Sequence, residues 1–143
     1  MTSEQDSTAD VIVGTMVTGA LAMSVIPTVN TVAFIAAMGT GVVAIGAAYG
    51  VPLSKDESWK LVKQFLQGAG AATAAAFGAG KVLSLLLATT GIGYGAAVAI
   101  DASVGSATAY AVGMAAKFYF KNDRNMRLAQ QRFREGLREK GIG

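Results

Sequence analysis

Few side chains in this sequence could do chemistry, and they lie far apart. The 143-residue chain contains neither cysteine nor histidine, so it lacks a thiolate nucleophile, the commonest metal ligand and the commonest general base. Lys81 and Asp101 are the only charged residues between residues 64 and 116. A lysine and an aspartate without a second carboxylate form no recognisable catalytic set. The sequence therefore predicts a protein that is not an enzyme and that holds no metal.

Two glycine-rich segments have the small residues that phosphate-binding loops use. Residues 78–81 read Gly-Ala-Gly-Lys, and residues 91–95 read Gly-Ile-Gly-Tyr-Gly. Neither has the spacing of a Walker loop or the complete dinucleotide fingerprint after a strand. We therefore expect no cofactor. The pI of about 9.3 comes from the C-terminal end of the chain, so it is weak evidence for nucleic-acid binding, and we expect no nucleic-acid partner.

The placement of Lys81 and Asp101 depends on the chain between them. If residues 82–100 form one helix, the two charges lie about 30 Å apart and mark the ends of a membrane span. If residues 89–95 (TTGIGYG) form a turn, the two side chains meet as a buried pair across a helical hairpin. Surface positions at helix ends are the third interpretation. The sequence leaves all three open.

The elements that must position any site are predicted to be helices. Residues 11–54 carry no charge, and the whole chain is 52% apolar and only 15% charged. Pro27 divides this run into predicted helices at residues 11–26 and 28–50, because proline disfavours a helical residue before it. Ser54 and Glu57 have the spacing of a capping box, which predicts a third helix from Lys55.

The C-terminal part is predicted as a helix at residues 102–120 with a basic helical continuation over residues 121–140. An apolar stripe in that continuation recurs at helical spacing and consists of Met126, Ala129, Phe133 and Leu137. Strand patterns are poor. The sequence predicts an all-α bundle of Gly/Ala-rich apolar helical hairpins with a C-terminal basic amphipathic helix. Its predicted divisions are a disordered acidic tail at residues 1–10, an apolar helical domain at residues 11–120, and the basic amphipathic helix and tail at residues 121–143.

Two glycine pairs have the GxxxG spacing, which lets a second helix approach one helix face closely. The pairs are Gly46 with Gly50 and Gly91 with Gly95. In a chain with 18 glycines, ordinary tight packing also explains such pairs. The hypothesis is that these glycines are helix-packing positions.

A membrane setting follows from the length of the uncharged segments, of which residues 28–50 and 82–100 are long enough to span a bilayer. Many glycines and threonines make insertion marginal. The acidic start is unlike a signal peptide, and the positive-inside rule directs the basic tail to the cytoplasm. We expect the aromatic residues Phe118, Tyr119 and Phe120 to lie at a membrane interface. Five arginines are predicted to contact head groups or an acidic partner, namely Arg124, Arg127, Arg132, Arg134 and Arg138.

Three blocks carry a resemblance to a known family. Residues 25–34 (VIPTVNTVAF), 49–70 (YGVPLSKDESWKLVKQFLQGAG) and 107–120 (ATAYAVGMAAKFYF) resemble the small helical domain of unknown function that follows the G domain in certain bacterial Era-like GTPases and also occurs in inner-membrane proteins. The resemblance extends from about Val17 to Gly136. It implies an all-helical, membrane-associated domain with no catalytic residue. Asn30 departs from the acidic residue of many relatives, and the chain carries no G domain, so any GTPase would be a separate chain.

Three hypotheses for function result. The first is a non-enzymatic, membrane-associated helical protein that forms homo-oligomers or docks on a partner through Gly/Ala-rich faces, with its basic tail at the cytoplasmic side of the bacterial inner membrane. The second is a soluble, cytoplasmic helical module that binds and regulates a separate GTPase. The third is a pore formed by insertion of the apolar hairpin of residues 11–50.

Overall fold

The computed structural model describes residues 3–24, 31–67 and 102–140. These residues form five helices and no strand, which confirms the predicted all-α bundle. The helices are α1 (Ser3–Ser24), α2 (Thr31–Ala48), α3 (Lys55–Gln67), α4 (Ala102–Lys121) and α5 (Met126–Glu139). The predicted segments that lie outside the described residues are 25–30 and 68–101, with Gly91, Gly95, Lys81 and Asp101 among them.

Helix α4 lies at the centre of the described bundle. Helices α1 and α5 both make their most extensive contacts with α4, on different sides of it. Helices α2 and α3 also contact α4. The surface of α4 is built from small side chains that are fully or almost fully buried, namely Ala107, Ala109, Ala111, Ala115 and Ala116. Such side chains allow neighbouring helices to approach its backbone closely.

Two glycines allow α1 and α5 to approach α4 closely. A Cβ atom on Gly113 of α4 would lie 2.8 Å from a methyl carbon of Val13 in α1. A Cβ atom on Gly136 of α5 would lie 3.0 Å from the Cα atom of Ala111 in α4. Both separations are shorter than ordinary van der Waals contact. The glycines therefore fix α1 and α5 against α4.

Larger side chains fill the other side of the core. The largest side chains that are almost fully buried are Phe65 of α3, Phe120 of α4 and Phe133 of α5. The Tyr119 ring meets Phe65 edge-on at 6.0 Å between ring centres and Phe120 at 5.1 Å, a favourable aromatic geometry. These ring contacts join α3 to α4.

The capping box at the start of α3 is present as predicted. The Glu57 amide donates to the Ser54 hydroxyl, and the Ser54 amide donates to the Glu57 carboxylate, both at 3.1 Å. These two bonds satisfy amide groups that the first helical turn cannot pair internally. The pKa of Glu57 is lowered because the Ser54 amide, and after it the Ser54 hydroxyl, stabilises the Glu57 carboxylate.

The structure differs from the predicted boundaries in two places. Residues 3–10 belong to α1 rather than to a disordered acidic tail, because Asp6 and Asp10 have lysine partners on α4. Residues 121–140 do not continue α4 as one helix. A turn at residues 122–124 separates α4 from α5, and the Asn125 side chain caps α5 by accepting a hydrogen bond from the Leu128 amide at 3.1 Å.

A pair of glycine substitutions tests the close approach of α1 to α4. Gly113→Ala is expected to lower the free energy of unfolding by about 1 kcal/mol, because the overpacking outweighs the better helix propensity of alanine. Gly14→Ala is the matched control, since its Cβ would meet nothing within 4 Å. That substitution is expected to raise the free energy of unfolding by about 0.5–1 kcal/mol. Urea denaturation measures both, and equal stabilisation by the two substitutions would contradict the close contact.

Candidate docking surfaces

Two ion pairs join the start of α1 to the end of α4. The Lys117 ammonium lies 2.7 Å from the Asp10 carboxylate, and the Lys121 ammonium lies 2.9 Å from that of Asp6. In each helix the two residues are four positions apart, so both ion pairs lie along the same contact between α1 and α4. The Tyr49 hydroxyl, just after α2, donates to Asp6 at 2.7 Å. Three helix ends therefore meet at one carboxylate.

The pKa values of Asp6 and Tyr49 are shifted in opposite directions at this junction. The hydrogen bond from Lys121, with that from Tyr49, holds the pKa of Asp6 below its ordinary value. Burial, and then the hydrogen bond to Asp6, raises the pKa of Tyr49. At neutral pH the carboxylate is therefore charged and the phenol is a donor. The arrangement holds helices together and presents no group suited to proton transfer near pH 7.

Arg132 lies between α4 and α5. Its side chain is buried, one guanidinium nitrogen lies 3.0 Å from the Glu139 carboxylate, and the guanidinium carbon lies 5.5 Å from the centre of the Phe118 ring. The Tyr110 hydroxyl of α4 donates to Glu139 at 2.7 Å. That bond, followed by the one from Arg132, lowers the pKa of Glu139. Arg132 thus fastens the helix pair and does not face outward.

The other predicted arginines of α5 lie away from this contact. Arg127, Arg134 and Arg138 recur at seven and four residues, which places them on one helix face. Arg127 and Arg138 are exposed and Arg134 is half-buried. Arg124, in the preceding turn, is also exposed. We call Arg124, Arg127, Arg134 and Arg138 the basic face.

The aromatic residues that were expected at a membrane interface pack within the bundle. Phe120 is 2% exposed and belongs to the core. Tyr119 is half-buried against Phe65, and Phe118 is half-buried beside the Arg132 guanidinium. The structure therefore places all three in contacts of α4 with its neighbours, Phe118 towards α5, Tyr119 towards α3 and Phe120 towards Gly46 of α2.

The first GxxxG pair does not form one helix-packing surface. A Cβ atom on Gly46 would lie 2.9 Å from the Val51 carbonyl oxygen and 3.1 Å from the Phe120 ring, so Gly46 is a close-packing position. Gly50 lies in the turn after α2 with a φ of +76° and has no neighbour within 4 Å of such an atom. Gly50 reverses the chain, a backbone conformation that glycine adopts at little cost.

An uncharged surface is formed by α1 and α2. Its exposed residues include Val11, Thr15 and Thr18 of α1 and Ala37 and Thr40 of α2, and we call it the α1–α2 face. A groove of about 290 Å³ runs between the two helices and has an almost wholly apolar lining, with Ile12, Met16 and Met38 among its residues.

The threonines of this face pair with their own helices. The hydroxyls of Thr15, Thr18 and Thr40 donate to carbonyl oxygens four residues earlier, at 3.0–3.2 Å. Such bonds satisfy the hydroxyl donors internally. The face therefore offers methyl groups and helix backbone for contact, and its hydroxyl donors do not depend on water.

Neither a metal cluster nor a membrane span is found among the residues that the structure describes. Within the ranges 3–24, 31–67 and 102–140, no three acidic side chains gather as a metal ion would require. None of the helices in those ranges combines the length and the hydropathy needed to cross a bilayer.

These features define a compact helical bundle with a basic face and an uncharged face. Residues 2–140 match the family described as Domain of unknown function (DUF697), which is almost the entire sequence. The chain belongs to this family. Comparison with curated proteins and with solved structures finds no match.

The sequence reasoning missed the residues that hold the bundle together through polar contacts. These are Asp6, Asp10, Tyr49, Lys117 and Lys121 at one end, and Tyr110 and Glu139 beside Arg132. At the first end, the available signal was the four-residue spacing shared by the two aspartates and the two lysines. That spacing shows that each pair shares a helix face, but not that the two faces meet across more than 100 residues of chain.

Acid titration tests the junction at Asp6. Since its pKa is lower in the folded chain than in the unfolded chain, the stabilisation by Asp6 is fully present above its unfolded pKa and disappears as the pH falls through the folded value. Asp6→Asn is therefore expected to flatten the fall in unfolding free energy below about pH 5. Urea denaturation at a series of pH values measures this slope.

Glu4→Gln is the control for this titration, because it removes a nearby exposed carboxylate of α1 and leaves the contact with Lys121 and Tyr49 intact. It is expected to preserve the part of the slope that Asp6→Asn removes. A slope that Asp6→Asn leaves unchanged would contradict the role of the junction.

Proposed function

We propose that this chain is a non-enzymatic helical module that binds an anionic bilayer surface through the basic face. The observation that carries the proposal is the orientation of α5. Its apolar residues Ala129, Phe133 and Leu137 are fully or almost fully buried in the bundle, while Arg127 and Arg138 are exposed on the outer side. The basic side of the helix is therefore available for contact, and the apolar side is already occupied.

The proposed binding is electrostatic. Each basic side chain near an anionic membrane contributes about 1 kcal/mol, so the four arginines would give weak and reversible attachment. Among the residues that the structure describes, the exposed large apolar side chain is Val11 of α1, so α5 presents none. Attachment through α5 would thus leave the bilayer core unpenetrated, and it would weaken as salt screens the charges.

The family resemblance supports the proposed location. The resemblance to domains of inner-membrane proteins favours the cytoplasmic surface of a bacterial inner membrane, whose anionic lipids attract basic segments. A non-enzymatic role is supported by the sequence, which contains no histidine or cysteine.

Charge reversal on α5 tests the proposal. Arg127→Glu combined with Arg138→Glu is expected to weaken binding to vesicles of phosphatidylserine and phosphatidylcholine by about a hundredfold or more, since four units of charge are changed. Co-flotation with vesicles at low and at high salt measures the affinity. Circular dichroism should remain unchanged, because both side chains are exposed.

The matched control is Lys55→Glu with Lys60→Glu, two exposed positions on α3 that change the net charge equally. This pair is expected to bind vesicles much better than the α5 pair. Equal loss from both pairs would indicate attraction by net charge alone and would contradict a specific basic face. Wild-type chain that does not float with anionic vesicles would contradict the proposal altogether.

A second candidate function is self-assembly through the α1–α2 face. It is favoured by the internal pairing of the Thr15, Thr18 and Thr40 hydroxyls, because a face with satisfied donors and small side chains suits helix-to-helix contact. Helix α4 separates α1 from α5, and α2 makes its contacts with α1, α3 and α4. A chain attached through the basic face would therefore keep the α1–α2 face free for a second copy.

Thr40→Lys tests this assembly, because a charge buried between two apolar faces is costly. The substitution is expected to raise the dissociation constant of the oligomer by about tenfold or more, as measured by sedimentation equilibrium. Gln67→Lys, at an exposed position of α3, is the control and should leave the constant unchanged. An oligomer equally stable in both variants would contradict assembly through this face.

Docking on a separate GTPase rests on the family resemblance alone and stays a prediction. Pore formation by residues 11–50 likewise stays a prediction, since no contact in the described part of the chain favours it.

A further inference from the structure

The turn between α4 and α5 places two consecutive non-glycine residues in the left-handed conformation. Asp123 and Arg124 have φ angles of 53° and 61°, and they are the non-glycine residues with positive φ in the described chain. The left-handed conformation crowds the Cβ atom of an L-residue, although aspartate tolerates it better than most. Two such residues in succession make this turn less favourable than the same turn built from glycine.

The alternative conformation of the turn is a helix. The segment from Lys121 to Met126 contains neither glycine nor proline, and its sequence alone predicts that the helix continues. If the turn straightened, residues 102–139 would form one uninterrupted helix, and both left-handed residues would become helical. The strain therefore lies in a short connection that could instead adopt a helical conformation.

A straightened chain would have to find another surface for α5. Phe133 and Leu137 are almost fully buried, and the backbone at Gly136 lies against Ala111 of α4. The Tyr110 hydroxyl must also meet Glu139 beside the buried Arg132. A surface with this exact set of small residues and donors exists on a second copy of the same chain. A bilayer could accept the apolar side chains but could not supply the close backbone contact or the phenol.

We propose that two copies of this chain form a dimer by exchanging α5, with each turn straightened and each α5 packed on the α4 and α3 helices of the other copy. Every contact of α5 with the bundle is then remade between chains, so the exchange costs little packing. The dimer relieves the left-handed turn twice, which is the source of its stability relative to two monomers. Short strained connections are known to favour such exchange.

Glycine at the strained positions tests the proposal. Asp123→Gly with Arg124→Gly removes the penalty of the closed turn, and is expected to raise the dimer dissociation constant by about a hundredfold or more, since two turns per dimer are affected. The measurement is size-exclusion chromatography with light scattering, across a range of concentrations, after refolding from urea at high protein concentration.

Two further variants keep the result interpretable. Asn122→Gly is the matched control, because it loosens the same turn at a residue that does not have positive φ, and it should not raise the constant comparably. Asp123→Val with Arg124→Val makes the closed turn worse and is expected to increase the dimer fraction. Unchanged circular dichroism at low concentration would verify that each variant folds.

Isotope mixing identifies the exchanged helix directly. In a dimer assembled from labelled and unlabelled copies, the contact between Gly136 and the Ala111 methyl group is expected to be intermolecular. Wild-type and valine variants that remain monomeric throughout would overturn the proposal. So would a dimer in which this contact is intramolecular, or one that Thr40→Lys weakens and the glycine pair does not, since that dimer assembles through the α1–α2 face.

Discussion

The close packing of α1 and α5 on the small-residue surface of α4 is the constraint on which the rest of the structure depends. Val13 can approach α4 only because residue 113 is glycine, and Ala111 can lie against α5 only because residue 136 is glycine. With backbones this near, the polar partners at the edges reach one another, and Lys121 meets Asp6 while Tyr110 meets Glu139. Larger residues on α4 would separate these partners.

This packing decides which chemistry the surface can offer. Because α5 uses its apolar stripe to bind α4 and α3, its exposed residues include no large apolar side chain; they are Arg127, Gln131, Arg138 and Glu139. Because α1 presents small residues on its outer side as well, the α1–α2 face carries methyl groups and internally bonded hydroxyls. One helix surface is therefore suited to charge and another to apolar contact, and α4 keeps them apart.

Local features of the sequence were sufficient to predict local structure. The capping box at Ser54 was predictable because both of its hydrogen bonds lie within four residues, and the apolar stripe of α5 was predictable from its spacing. Residues 3–10 were not, since their few apolar side chains suggest disorder and their partners Lys117 and Lys121 lie more than 100 residues away. The break at Asp123 carries no glycine or proline, and its local signal is the Asn125 side chain that caps α5. Packing of α5 on α4 and α3 holds the turn closed.

The candidate surfaces were predicted only in part. The basic character of the C-terminal helix follows from its composition. The inward direction of Arg132 depends on Glu139, seven residues later in the same helix, and also on Tyr110 of α4, which no spacing rule connects to it. Phe120 was expected at an interface from its aromatic type and lies in the core because Gly46 leaves room for its ring. Side-chain type thus indicated what each residue can contact, and packing determined which contact it makes.

Hydrogen exchange of the α5 amides, with and without anionic vesicles, tests most directly whether α5 is packed in the bundle and stays packed there in the proposed contact with a bilayer. Packing on α4 predicts that the amides of Phe133 and Leu137 exchange as slowly as those in the centre of α4, and that vesicles do not accelerate them. Fast exchange of these amides in the free chain, or loss of their protection on vesicles, would contradict that central claim.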